Sequence, residues 1–473
     1  VFLCSLGLSI VRLSPFHPLA QFPGPTIGKI TQLWTFWKTL QGYKYLYHKS
    51  LHDRYGAYVR IGPNEISVID APAVRKILGR GGLEKGRYYE SGRHLSTPPS
   101  IVCLSGDAHT AKRRLWDHAM TPASIKEYEP LVAARARELV SCLRLRDPQI
   151  GIDLVAWVDL FTLDLMGDLA FDSGFKMMEN GRDADGLGKR IRWFVKTSNV
   201  VGQVPWLIPT IQSVPGVSQI IKDFNSFGQA LAKQRVKKVA IGTRDLWYHL
   251  ADKAGKKATD ENSVADGIVA IVAASDTVAS TLCSVIWFLL SHPHQYQRLQ
   301  KELDTAIADG DDPFDAVKHQ ELHFLRACIN ETLRLHPPLP SNGTRQIYPS
   351  QAGQTIAGRF IPPGTTVSTP AYSLHRNQDY FSPHPDQFLP ERWLQGSQFD
   401  SHDSSAFLPF SLGPSNCVGQ KFARRELSMV LCILFKSFTL RFADGFDAEA
   451  WPREMQDFFV VTRGPLYVQL TRR

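Results

Sequence analysis

The chain has 473 residues, 43% of them hydrophobic and 21% charged, a balance that excludes a disordered polymer and supports a large core. Its formal charge is +9, yet the basic residues are scattered. No Lys/Arg run marks a nucleic-acid tail, which leaves a diffuse solvated surface or an acidic protein partner. Seven cysteines, with no CxxC and no zinc spacing, argue against a disulfide framework and read as buried thiols of a reducing compartment.

The opening "VFLCSLGLSIV" ends at Arg12 and is too short to span a bilayer alone. Because the chain opens on Val1 and not Met, residues 1–13 are expected to be the tail of a membrane anchor, against a buried N-terminal strand or helix. "SPFHPLAQFPGP" holds four prolines in twelve residues and predicts a stiff hinge over 14–30. Residues 31–473 show no internal repeat and read as one helix-dominated domain. "AYVRIGPNEISVID" (57–70) predicts a hairpin about Gly62-Pro63. Apolar residues recur at helical spacing in 131–145 and 157–171, and the polar stretches 178–190, 251–263 and 308–313 read as loops.

The segment 267–290 is 24 residues with a single charge, Asp276. Its length suits a membrane span, but a carboxylate at the bilayer centre costs roughly 2.5–3.5 kcal/mol, and basic flanks are missing. A helix through the middle of a large globule is equally apolar all round, and that reading is preferred. Ser275, Asp276 and Thr277 then lie deep in the protein, either satisfied or used. "ETLRLHPP" (331–338) sets Glu331 and Arg334 three apart on one helical face, in isolation a surface ion pair. The stretches 354–368 and 458–472 predict two further hairpins, the first punctuated by Pro362-Pro363-Gly364. The balance is mainly α with small antiparallel β-sheets. No GxGxxG or Walker A pattern is present, so the chain is not expected to bind a dinucleotide.

In "FSLGPSNCVGQ" (410–420), Cys417 sits in a turn of Gly413, Pro414, Ser415 and Asn416, with Gly419 just beyond. Ala423, Leu427, Val430, Leu431, Leu434 and Phe438 then predict a helix starting near Val418 or Gly419. A thiol at a helix N-terminus meets unpaired N–H groups, which lower its pKa and favour thiolate. The glycines let a flat group approach the backbone, and Phe410 offers an apolar wall. Such a sulfur is a nucleophile, a metal ligand or a plain buried cysteine. A nucleophile wants a histidine base, and none lies in this loop.

Phe410, Gly413, Cys417 and Gly419 stand at the offsets of Phe-x-x-Gly-x-Arg-x-Cys-x-Gly, so the stretch resembles the haem-thiolate loop of the cytochrome P450 family. Ser415 departs from the family's Arg, which usually helps to hold a haem propionate. Other matches follow in order. Glu331 and Arg334, with Arg392 of "FLPERW" (388–393), resemble the family's buried structural Glu-Arg-Arg network. "AASDT" (273–277) resembles the oxygen-side motif, in which Thr277 would organise oxygen and water and Asp276 would relay protons. Its departure is Ala274, usually Gly, and the plainer reading of Thr277 is a hydroxyl bonded back to a helix carbonyl. His109 and Arg113 of "HTAKRR", and Arg345 of "GTRQI", match propionate partners. The resemblance covers about residues 14–471.

The resemblance implies a mainly α cytochrome P450 fold and haem b (iron protoporphyrin IX) on Cys417. It also implies insertion of one atom of O2 into an apolar small molecule. Electrons are expected from an NADPH-dependent cytochrome reductase, with Lys421, Arg424 and Arg425 as candidate docking cations or a solvated helix face. The N-terminal segment would tie the protein to the endoplasmic reticulum membrane, with the catalytic domain facing the cytosol. Substrate contacts placed by position are Val269, Ala273, the segment Pro340 to Gly343 with Pro340 and Ser341 foremost, and the hairpin near Phe458, with the 90–104 loop as a cover and core packing as the alternative. "RRLWDHA", "DLMGDLAF" and "RDLWYHLAD" look most like fungal members acting on secondary metabolites. A haem-thiolate isomerase or dehydratase without reductase remains the alternative, although such enzymes often lack the acid–alcohol pair. A non-catalytic haem carrier or a haem-free membrane protein are further readings.

Overall fold

The computed structural model describes residues 2–473 apart from 93–98, 172–173, 236–244, 253–260, 398, 400–401 and scattered positions between 215 and 234. Four short helices open the chain: α1 (Phe2–Leu13), α2 (Thr26–Ile30), α3 (Leu33–Leu40) and α4 (Lys44–Tyr55). The first hairpin forms as expected, β1 (Tyr58–Gly62) against β2 (Glu65–Val68). After α5 (Ala71–Leu78) and β3 (Glu84–Lys85) comes α6 (Gly106–Ala119). The helix α7 (Pro122–Arg144) starts where the Thr121 hydroxyl accepts the Ser124 N–H and proline takes the first position, where its missing N–H costs nothing. Then follow β4 (Ile152–Asp153), α8 (Leu154–Phe171), α9 (Leu187–Gly202), α10 (Glu261–Ser291) and α11 (His323–Leu335). The last long helix is α12 (Gln420–Ser437).

The apolar helix of the sequence is α10, and its surroundings explain its composition. It lies along α8 and also touches α11 and α12. Leu282, Cys283, Val285, Ile286 and Leu289 are fully buried. A rod packed on several sides needs no polar face, so the core reading holds over the membrane-span reading.

The strands form small sheets around this helical body. The largest has the order β1-β2-β8-β5-β3, with β5 (Arg345–Gln346) and β8 (Thr366–Ser368). Its β2–β8 ladder is parallel and the others are antiparallel. Two expected hairpins differ in detail. In 354–368 the pair is β6 (Gln354–Ile356) with β7 (Arg359–Ile361), turning at Ala357-Gly358, both at positive φ. That is the geometry a two-residue hairpin turn requires. Pro362-Pro363-Gly364 instead leads β8 into the other sheet. The segment 458–472 is not one hairpin. There, β11 (Val460–Thr462) pairs with β10 (Gln456–Phe458), while β12 (Tyr467–Arg472) pairs with β9 (Phe438–Phe442) and β4.

The Glu-Arg-Arg set is assembled and buried, each side chain at 0% exposure. Arg334 donates to the Glu331 carboxylate through Nε and Nη2 at 2.8 and 2.7 Å, and Arg392 Nε donates at 3.3 Å. The Leu389 N–H and the Trp393 indole N–H, each at 3.0 Å, complete the shell. Arg334 also donates to the carbonyls of His375 and Gln387, and Arg392 to that of His384. One carboxylate therefore pins the 383–393 segment to α11. Replacing Glu331 by Gln keeps the size and leaves two buried guanidinium ions unneutralised. A loss of about 3–5 kcal/mol is expected in denaturant unfolding, and a loss below about 1 kcal/mol would contradict this description.

Candidate active site

A cavity of about 600 Å³ lies between α10, α6, α12, β5 and the cysteine loop. The loop's shape follows from three constraints. Gly413 sits at φ +73°, and a Cβ there would fall 2.2 Å from the Leu78 carbonyl oxygen at the end of α5, so glycine is required. The Asn416 N–H donates to the Gly413 carbonyl and the Cys417 N–H to that of Phe410, at 3.1 and 2.9 Å. A Cβ on Gly419 would make only an ordinary 4.0 Å contact with the Cys417 Sγ, so nothing within the protein itself requires glycine there. Cys417, Phe410 and Gly419 all line the cavity.

The thiol is accessible from the cavity, whose walls surround it. Enclosure pushes its pKa up, against the opposing pull of the Gly419 N–H and Arg113. This reverses the lowering expected from a helix N-terminus. The helix begins at Gln420, so the sulfur precedes it, and desolvation outweighs the dipole. A cation bound to the sulfur would restore the thiolate.

Positive groups gather at one end of the same cavity. His109 on α6 and Arg345 on β5, the expected propionate partners, line it, both about 5% exposed. Sequence reading missed Lys85, which is paired with Arg345 across the β3–β5 ladder. Burial and then Arg345 pull the Lys85 pKa down to about 7. Burial, followed by Lys85, Arg113 and Arg345, holds His109 at about 4. Lys85 Nζ donates to the Ile101 carbonyl at 2.9 Å. Arg345 Nε finds no partner among the described residues. The acid on this wall is Glu426, and burial alone raises it to about 8, so it is neutral at pH 7. Buried cations without counter-charge are costly unless a ligand supplies the anion.

Arg113 also lines the cavity, but it is committed to the loop. It donates to the Asn416 carbonyl at 2.7 Å, to Asn416 Oδ1 at 2.8 Å and to the Pro414 carbonyl at 3.1 Å. It thereby ties α6 to the cysteine turn. Ser415 lines the cavity without bringing charge.

Val269, Ala273, Ala274 and Thr277 form the α10 wall. The Thr277 hydroxyl donates to the Ala273 carbonyl at 2.7 Å, so the plain helix bond and the cavity position occur together. Asp276 is turned away, towards Asp159, Arg192 and Arg463, and does not line the cavity.

Of the substrate contacts placed by position, three differ in the structure. The Pro340 carbonyl accepts the Tyr372 N–H at 3.0 Å, and the Ser341 hydroxyl donates to buried Asp457. Neither residue lines the cavity, whereas their neighbours Leu339, Asn342 and Gly343 do. Phe458 lies under the Lys196 ammonium at 4.1 Å, and Phe459 takes the cavity side instead. Successive residues of an extended chain face opposite ways, so an error of one residue inverts the assignment. In the 90–104 loop, Ser91, Gly92 and residues 100–103 line the cavity, and 93–98 lie outside the described residues. Sequence reading also missed Tyr88 and Asn199, joined by a 2.6 Å hydrogen bond on that side.

Two of the candidate docking cations are occupied. Arg425 pairs with Glu129 at 2.7 Å and donates to the Phe314 carbonyl. Arg424 donates to Asn330 at 2.6 Å and stacks over the Phe410 ring. Lys421 is exposed.

An accessible thiol, apolar walls and uncompensated cations fit a flat, metal-bearing dianion. The family model for cytochrome P450 matches residues 19–470. Cytochrome P450 67 of Uromyces fabae is 31% identical over 99% of this chain and 89% of its own length. Tryprostatin B 6-hydroxylase of Aspergillus fumigatus is 30% identical over 97% of this chain and 81% of its own length. Averantin hydroxylase of Dothistroma septosporum is 29% identical over 97% and 87% respectively. The chain is thus an oxidoreductase of the monooxygenase kind, built for a haem iron, and it belongs to the cytochrome P450 family.

Proposed function

We propose that this protein holds haem b through the Cys417 sulfur and hydroxylates, or similarly oxidises, a neutral, largely apolar small molecule of secondary metabolism. The observation that carries this reading is one cavity lined both by Cys417 and by the Ala273–Thr277 wall of α10. The relatives named as hydroxylases of tryprostatin B and averantin support the metabolic setting.

In this reading Lys85 and Arg345 would neutralise the two propionates, the neutral His109 would donate a hydrogen bond to them, and Arg113 braces the loop that presents the sulfur. Lys85 thereby takes over charge that the family's loop arginine would bring where Ser415 stands. The bound haem supplies oxygen activation. The chain supplies the rest. Phe410 and Phe422 exclude water, while Val269, Ala273 and Phe459 shape the apolar substrate space. The Thr277 hydroxyl can rotate from the Ala273 carbonyl to donate into the cavity, and the Ala274 methyl narrows the groove beside it. Asp276 holds the proton that follows. The titratable cavity residues Lys85, His109, Arg113, Arg345 and Glu426 are assigned to the haem environment, which favours an uncharged substrate.

Electrons would arrive from an NADPH-dependent reductase at a positively charged face. Lys421 is the exposed member of the expected trio, because Arg424 and Arg425 are held internally. Attachment to the endoplasmic reticulum membrane, with the domain in the cytosol, is supported by exposed apolar side chains near the start of the chain. Ile10, Val11, Phe16, Leu33 and Trp37 of the N-terminal region are exposed, and Phe16 is 92% exposed. Trp206, beyond α9, is 60% exposed, and α9 touches α3.

Three measurements test this reading. With reductase, NADPH and labelled O2, the product is expected to gain one labelled oxygen atom, and label arriving only from water would refute the assignment. In Thr277→Ala, NADPH consumption is expected to continue while product per NADPH falls by about tenfold or more. Unchanged coupling would remove the hydroxyl's role. Lys85→Met is expected to weaken haem binding. A bound dianion raises the ammonium's pKa, so the charge is present at pH 6 both before and after binding. It must be taken up on binding above pH 7. The ratio of wild-type to variant haem affinity is therefore expected to be largest at pH 6 and to shrink towards pH 9. A flat or rising ratio would place Lys85 outside the propionate site.

A further inference from the structure

The middle of α10 is polar on two sides. Thr277 faces the cavity, and the preceding Asp276 faces a buried cluster of charge formed by α8, α9 and the link between β11 and β12. Arg463, on that link, is 4% exposed. Its Nη2 donates to Asp159 Oδ1 at 2.6 Å, and its Nη1 donates to the main-chain oxygen of Asp276 at 3.2 Å. Asp159 Oδ2 meets Arg192 Nη1 at 3.2 Å, and Arg192 is 40% exposed. The arginine nearest to Asp276 is therefore engaged by another acid and by a backbone carbonyl. Among the described residues, no ion pair reaches the Asp276 carboxylate, and Arg463 Nε has no partner.

We propose that Asp159 and Arg463 are positioning residues for proton supply: Asp159 holds the arginine away from the Asp276 carboxyl, which stays able to carry a proton. The inference rests on the role given to Asp276 above. A carboxylate locked to an arginine holds no proton at neutral pH, because the ion pair favours its charged form. Removing that lock lets the carboxyl exchange a proton with solvent on the Arg192 side and pass it towards Thr277. The step moves one proton and no electrons, and solvent returns the proton.

The charge balance agrees with this geometry. Burial, then the Asp159 charge, push Asp276 up to about 6, while Arg463 and Arg192 oppose them. The other titratable groups sharing these charges are Cys283, two turns along α10, and Asp153 beside Asp159. Neither offers a cation that could replace Arg463.

The test is an infrared titration of the resting holoenzyme. The protonated-carboxyl band of Asp276 is assigned by its loss in Asp276→Asn. In Asp159→Asn the Asp159 charge is lost and Arg463 is released to close on Asp276, so the titration midpoint is expected to fall by about one pH unit, a tenfold loss in proton affinity. It is expected to fall less in Asp159→Asn/Arg463→Gln, where no arginine can close; an equal fall in both would overturn the clamp. In Arg463→Gln the midpoint is expected to rise, which keeps the test decisive where Asp159→Asn does not fold. The pH profile of product per NADPH should move with the midpoint in each variant. An unmoved midpoint in a variant with an intact haem spectrum overturns the proposal. A midpoint that moves while the coupling profile stays fixed keeps the clamp and removes Asp276 from proton delivery, so the two failures are told apart.

Discussion

The cysteine turn depends on contacts with other parts of the chain. Gly413 takes a backbone conformation that side chains resist, pressed against the carbonyl that ends α5. Arg113 reaches from α6 to the main-chain oxygens of Pro414 and Asn416. The Cys417 N–H is held by the Phe410 carbonyl. Two helices and one hydrogen bond thus fix the loop before any ligand arrives, so a metal-bearing group meets a preformed site.

The same rule about buried charge shapes two distant regions in opposite ways. Around Glu331, two guanidinium ions share one carboxylate and donate to the surrounding carbonyls, with Arg392 Nη1 left unpaired among the described residues, and these bonds make the region a rigid frame. At the cavity end, Lys85, His109 and Arg345 cluster without an ionised acid among the described residues, and the penalty is visible in the depressed proton affinities of Lys85 and His109 and in the unpaired Arg345 Nε. A folded chain retains such a cluster where a ligand completes it. On α10 a third arrangement occurs, with Arg463 engaged by Asp159. In all three places the decisive quantity is which partner an arginine is allowed to reach.

What was legible in the sequence follows from the range of the interactions. Cys417, Phe410, Gly413 and Gly419 lie within one loop, and their offsets alone mark it. Glu331 and Arg334 share a helical face, so their pairing is local. The apolar length of α10 is likewise a local property. Lys85 was invisible because its meaning comes from Arg345, its neighbour only across a ladder between strands 260 positions apart. Phe459 was displaced to Phe458 because register in a short strand is set by its partner, not by its own composition. Arg424 and Arg425 looked like surface charge until Asn330 and Glu129 were brought beside them. The raised thiol of Cys417 reflects enclosure by distant walls, which a local dipole argument leaves out.

The central claim is that the sulfur of residue 417 binds the haem iron directly. The most direct measurement is the reduced, carbon monoxide-bound absorption spectrum of haem-loaded wild type beside that of Cys417→His. The expected result is the red-shifted Soret band of thiolate ligation in the wild type, and an imidazole-type band in the variant with haem still bound. Identical spectra from the two proteins would contradict the claim.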